Sequence, residues 1–109
     1  MTASSVGDFE LVLLLSIVRL GEDAYGVRLR EEVSALRRHE YAYGAIYTTL
    51  RRLEDKKLVA SSMTDPLPIR GGRSRRQYEV TAAGQRAIRE AQKLATRLWS
   101  SAELRGSPA

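Results

Sequence analysis

The chain has 109 residues, a length that suits one domain of ordinary size and excludes a large multidomain enzyme. It contains no cysteine and one histidine, His39, which excludes disulfides, cysteine-ligated zinc, iron–sulfur clusters and thiol catalysis. With 18 Lys and Arg against 13 Asp and Glu, the net charge is +5, and nucleic acid is the leading candidate partner.

Residues 9–20 predict a first helix that is hydrophobic around most of its circumference. Its apolar run is much shorter than the roughly 20 residues of a membrane span, and no basic leader precedes it. We therefore expect a buried helix in a cytoplasmic protein without membrane contact. Residues 1–8 are expected to form a flexible tip, and Gly21 ends the helix.

Two amphipathic helices follow, each marked by apolar residues at spacings of three and four. The apolar stripe of the second helix consists of Tyr25, Leu29, Val33 and Leu36. That of the third helix consists of Ile46, Leu50 and Leu53. The connection between them, residues 37–41, is short and polar, and His39 within it is expected to be a solvated turn residue.

A β-hairpin is predicted next, with strands at residues 59–64 and 77–81 and a loop rich in proline, glycine and arginine between them. Thr81 can then cap a last helix over residues 82–104, before a flexible tail at residues 105–109. The fold class is therefore mainly α with a small β-hairpin. Residues 9–81 form a winged helix-turn-helix, and a long C-terminal dimerisation helix follows.

The excess positive charge lies in the third helix and the hairpin. Between Tyr43 and Tyr78 there are eight basic and three acidic residues, whereas the rest of the chain carries ten of each sign. A solvated charged face is the alternative to a binding surface at this point.

In a winged helix-turn-helix, the third helix enters the major groove and the hairpin tip contacts an adjacent groove or the backbone. Small residues at the start of the third helix permit close approach, and guanidinium groups bind phosphate. The predicted DNA-binding residues are Tyr43, Gly44, Ala45, Tyr47, Thr48, Arg51, Arg52, Arg73, Ser74 and Arg75. Two alternatives stay open: the tyrosines pack against the second helix, or the hairpin tip is a disordered basic loop.

The first and last helices together carry more apolar surface than one small domain buries, which predicts a homodimer. The expected interface residues are Leu11, Leu14, Leu15, Ala91, Ala95, Leu98 and Ala102. Trp99, on the same helix, is a candidate for stacking on a small planar aromatic effector, and simple interface packing is the alternative. No catalytic residues, cofactor or metal are expected.

Three stretches of this sequence resemble the PadR family of bacterial transcriptional regulators. They are residues 44–59, GAIYTTLRRLEDKKLV, residues 71–85, GGRSRRQYEVTAAGQ, and the pair Tyr25-Gly26. The sequence departs from the family pattern at Thr48, where proline is frequent, at Lys57, where a helix-ending glycine is usual, and at Val27-Arg28.

The resemblance implies a homodimeric repressor that is often released from DNA by a small ligand. A two-fold dimer places two recognition helices on one face of the duplex, which predicts a pseudo-palindromic double-stranded DNA operator. Because one helix follows the hairpin, the chain resembles the short branch of the family. A ligand-binding or protein-docking winged-helix module without specific DNA recognition is the alternative function.

Overall fold

The computed structural model describes residues 6–64 and 75–102. Four helices and two strands follow one another in the predicted order: α1 (Asp8–Leu20), α2 (Gly26–Arg37), α3 (Tyr43–Asp55), β1 (Val59–Met63), β2 (Arg76–Val80) and α4 (Ala82–Ala102). A short 3-10 turn at Gly21–Asp23 separates α1 from α2. The predicted fold class is confirmed. None of the helices in the described residues is long and apolar enough to span a membrane.

The first helix packs one side into the core and leaves another side uncovered. Leu13, Leu14 and Ile17 are buried, whereas Leu15 and Val18 are exposed. The prediction that Leu14 contacts a second chain was therefore wrong, because its side chain is fully enclosed by its own chain. The helix ends as predicted at Gly21, whose φ of 57° suits a residue without a β-carbon.

The second and third helices supply the rest of the helical core. Their predicted apolar stripes are fully buried at Leu29, Val33, Ile46, Leu50 and Leu53. Leu36 differs, because it is 52% exposed in the last turn of α2. Leu36 lies on the stripe, as its spacing predicts, but this end of the stripe extends past the helices that cover Leu29 and Val33.

The hairpin is antiparallel and is attached to the start of α2. Val59 pairs with Val80, and Ser61 pairs with Tyr78. The backbone N–H of Tyr78 also donates to the carbonyl of Ala24 at 3.0 Å. This bond fixes β2 beside the start of the second helix. The predicted proline- and glycine-containing tip lies outside the described residues.

The last helix is anchored by its first half, where Ala83, Ala87 and Ile88 pack against the core. Thr81 Oγ1 accepts a hydrogen bond from the Gly84 N–H at 3.0 Å, which confirms the predicted cap, and donates to the Lys57 carbonyl at 2.8 Å. Gly84 packs directly against the Leu58 carbonyl. In contrast, every residue from 92 to 102 is exposed, so half of α4 projects away from the rest of the chain.

Candidate nucleic-acid interface

One face of α3 is uncovered and carries no large apolar side chain. The buried side of the helix includes Ile46 and Leu50, and helical geometry places Gly44, Thr48 and Arg51 on the opposite side, where all three are exposed. No atom lies within 4 Å of the position that a β-carbon at Gly44 would take. The leading turn of α3 can therefore approach a partner closely.

Tyr43 and Tyr47 lie on the flank of α3 that faces α2, where they pack as the alternative interpretation of the sequence predicted. Their rings stack with centroids 6.3 Å apart. The Arg30 guanidinium lies 4.5 Å from the Tyr43 ring, and the Tyr47 ring contacts Gly26. Both tyrosines are nevertheless 43–45% exposed, so packing on α2 leaves their edges available to a partner.

A partly buried ion pair connects the end of α3 to the first turn of α1. Lys56 Nζ donates to the two carboxylate oxygens of Glu10 at 2.9 and 3.0 Å, and the Gly7 N–H donates to the same carboxylate at 3.0 Å. Burial raises the pKa of Glu10, but the bonds from Gly7 and Lys56 and the charge of Arg52 outweigh it, so that pKa lies below its usual value. The pair fixes α3 relative to the core.

The two arginines of α3 consequently face different surroundings. Arg52 lies close enough to Glu10 for its charge to lower the pKa of that carboxyl. Arg51 lies with Gly44 and Thr48 on the uncovered face, although both arginines are exposed. Of the two, Arg51 is the better placed to reach a partner of that face.

The start of β2 adds cationic side chains beside α3. The Arg75 guanidinium lies 3.9 Å from the centroid of the Tyr25 ring, a separation typical of a cation–π contact. Arg76 donates to Ser61 Oγ at 2.9 Å, and Ser61 donates to Glu54 at 2.6 Å. The predicted contacts Arg73 and Ser74 lie outside the described residues.

A pocket of about 400 Å³ separates α3 from β2. It is lined by Tyr25, Gly26, Val27, Arg28, Tyr47, Arg75, Arg76 and Tyr78. Burial and the charge of Glu54 raise the pKa of the Tyr78 hydroxyl, so this wall stays neutral at physiological pH. Sequence reasoning did not select Arg28 as a site residue, because its contribution depends on strand β2, which begins at Arg76.

The predicted interface residues of α4 form a continuous apolar stripe. Ala95, Leu98 and Ala102 are exposed, and Ala91 is half-buried. Leu94 belongs to the same stripe and was missed, although its spacing of four from Leu98 marks it. On α1, Leu15 is exposed and Leu11 is half-buried.

Trp99 is 68% exposed and sits at the edge of this stripe rather than at its centre. Consecutive helical residues are about 100° apart, so Trp99 is rotated by that angle from Leu98.

No group of three or more His, Cys, Asp or Glu in the described ranges could hold a metal ion.

Comparison with known proteins gives both a family and structural relatives. The profile of the transcriptional regulator PadR-like family matches residues 14–90. A PadR family transcriptional regulator from Eggerthella lenta has a TM-score of 0.64 and 26% identity, with 84% of this chain and 78% of that chain covered. A PadR-like transcription factor from Bacteroides fragilis has a TM-score of 0.68 and 19% identity, covering 85% of this chain and 86% of that one.

A third solved structure, BpsR of Bordetella bronchiseptica, has a TM-score of 0.67 and 17% identity, with 100% of this chain and 72% of that chain covered. Its DNA binding is regulated by 6-hydroxynicotinic acid. A search of curated proteins found no match.

Proposed function

We propose that this chain, which belongs to the PadR-like family of transcriptional regulators, binds double-stranded DNA at specific sequences and represses transcription in a bacterial cytoplasm. The observation that carries the proposal is the uncovered face of α3. Gly44, Thr48 and Arg51 are exposed there, and no atom lies within 4 Å of the position that a β-carbon at Gly44 would take. A protein helix with small residues at its leading turn and a guanidinium one turn later fits the major groove.

The second DNA contact is assigned to the hairpin. Arg75 stands immediately before β2, and Arg73 and Ser74 precede it in the sequence. Guanidinium groups bind phosphate oxygens with two parallel hydrogen bonds, which positions a protein on the duplex without reading its sequence. Specificity then comes from α3 and non-specific affinity largely from the hairpin.

We assign the active form to a homodimer held by α4 and α1. The exposed stripe of Leu94, Leu98 and their alanine neighbours supports this assignment, because a monomer would leave it in water. A two-fold dimer presents two copies of α3 to one side of the duplex, with half-sites about one helical turn apart. The operator is therefore expected to be pseudo-palindromic.

Ligand release is assigned to Trp99. Its exposed indole beside the small residues Ala95 and Ala102 leaves space for a flat molecule between two subunits. The regulation of BpsR by 6-hydroxynicotinic acid is a precedent for a small planar effector on this fold. Such a molecule releases DNA only by binding the free and DNA-bound states with different affinity.

The experiment that tests the proposal is selection of bound fragments from random and genomic DNA, followed by titration of a selected duplex against a scrambled one. We expect tighter binding of the selected duplex at every salt concentration. Equal affinity for both would overturn the proposal and favour a docking module without specific DNA recognition.

A further inference from the structure

The pocket between α3 and β2 lies between the two elements to which DNA contacts are assigned. Tyr47 forms its α3 side, and Arg75 and Arg76 form its hairpin side. The first turn of α2 closes it with Tyr25 and Arg28. A DNA strand that runs from the groove occupied by α3 toward the hairpin has to cross this pocket.

The lining of the pocket is suited to an anion. Three guanidinium groups, from Arg28, Arg75 and Arg76, surround it, and no carboxylate is among the lining residues. The remaining walls are aromatic, and they carry the hydroxyls of Tyr25, Tyr47 and Tyr78, which can donate hydrogen bonds. Guanidinium and hydroxyl donors around one cavity favour a phosphate oxygen over a neutral group.

Two of the arginines differ in how firmly they are held. Arg75 is oriented by its contact with the Tyr25 ring, and its side chain donates no hydrogen bond within the described residues. Arg28 pairs with Glu31 at 2.8 Å, with both side chains about half exposed. An exposed pair of this kind contributes little free energy and is easily exchanged for another anion. Arg76 is already bonded to Ser61.

We propose that this pocket holds one backbone phosphate of bound duplex DNA, with Arg28 and Arg75 as its principal donors. The inference rests on the proposed DNA-binding function and extends the contact surface to the start of α2. It gives Arg28 a role in affinity that is independent of base sequence. Arg28 also exchanges Glu31 for the phosphate when DNA binds.

The test is the salt dependence of affinity for a non-specific duplex. Each lost phosphate contact lowers the slope of log K against log salt by about 0.9. We expect the slope of Arg28→Ala to fall by about that amount relative to Arg86→Ala, which removes the same charge from an exposed position of α4. Arg28→Lys keeps the charge without the planar fork and is expected to restore most of the slope.

A second measurement locates the phosphate. In a selected operator, phosphates are replaced one at a time by uncharged methylphosphonate. At one position per half-site, the replacement is expected to cost the wild-type protein more affinity than it costs Arg28→Ala, which keeps only the Arg75 contact to that phosphate. Thermal unfolding of each variant serves as the control for folding.

The outcomes separate the two proposals. Two outcomes would show that the phosphate site is wrong while DNA binding stands. One is that Arg28→Ala and Arg86→Ala have equal slopes. The other is that every methylphosphonate replacement costs Arg28→Ala as much affinity as it costs the wild-type protein. If the wild-type protein binds no duplex at low salt, the proposed function itself is overturned.

Discussion

The ring of Tyr47 fills the space in which a side chain at Gly26 would begin. The hydroxyl and one ring edge lie against the glycine, so no β-carbon fits there without moving the tyrosine. Gly26 is the first residue of α2, and Tyr47 lies on the flank of α3. The contact between Tyr47 and Gly26 thus sets the distance between α2 and α3.

Gly26→Ala is expected to displace Tyr47 and weaken DNA binding more than it weakens the fold. Because the obstructing atoms belong to the end of a half-exposed side chain, that side chain can rotate outward, and the free energy of unfolding should fall by less than about 1 kcal/mol. Tyr47→Ala should also weaken binding. In a double-mutant cycle, Gly26→Ala should add nothing to Tyr47→Ala. Additive losses would show that the contact does not matter for DNA.

Gly44→Leu separates folding from DNA binding. Nothing lies within 4 Å of the position that a β-carbon at residue 44 would take. Replacing a helical glycine stabilises the fold by about 0.5 to 1 kcal/mol. Affinity for a selected operator should nevertheless fall about tenfold or more, roughly 1.4 kcal/mol, because the added side chain obstructs the groove. The matched control is Gly84→Ala, which is expected to destabilise by about 1 to 3 kcal/mol because the Leu58 carbonyl and Val80 occupy the space.

Leu98→Asp is expected to dissociate the dimer. It places a carboxylate in the centre of the apolar stripe, at a cost of several kcal/mol if the stripe is buried between chains. Ser100→Asp adds the same charge about 200° around the helix and should leave the dimer intact. Sedimentation at micromolar concentration measures both. A wild-type monomer, or a Leu98→Asp variant that still dimerises, would contradict the assignment.

The ion pair of Glu10 and Lys56 predicts a stability that depends on pH. Because the folded-state pKa of Glu10 lies below its ordinary value of 4.5, the carboxylate stabilises the fold above that value. The contribution disappears as pH falls through the lower folded-state pKa. Glu10→Gln should therefore be less stable than wild type by about 2 kcal/mol near pH 7, and the two should converge in acid. Denaturant unfolding between neutral and acidic pH measures the difference, with exposed Glu90→Gln as control.

Trp99 gives a direct optical test of the proposed effector site. Planar aromatic compounds that bind beside it should quench its fluorescence and lower operator affinity over the same concentration range. Both effects should be lost in Trp99→Ala. Quenching without a change in DNA binding would make Trp99 an accessible interface residue with no regulatory role.

Local spacing was sufficient to predict most of the fold from the sequence. Helical stripes such as Leu29 and Val33, the stop at Gly21 and the cap at Thr81 depend on residues within a turn or two of one another. Each strand lies within one residue of its predicted bounds. The error at Leu14 has a different cause: in a helix that is apolar all round, spacing does not say which side faces its own core.

The features that hold α3 in place were not predictable in this way. Glu10 and Lys56 are 46 residues apart, and the bond from Tyr78 to Ala24 joins the hairpin to α2. Such contacts depend on how helices pack, and no spacing rule marks them. The pocket residue Arg28 belongs to the same class.

The projecting half of α4 has a consequence for how the protein responds to its own abundance. In the proposed homodimer, a second chain covers the apolar stripe of this half. Where two chains must meet before an operator is occupied, the number of assembled regulators grows with the square of the supply of monomer at low concentration. Halving gene dosage would then remove more than half of the repression.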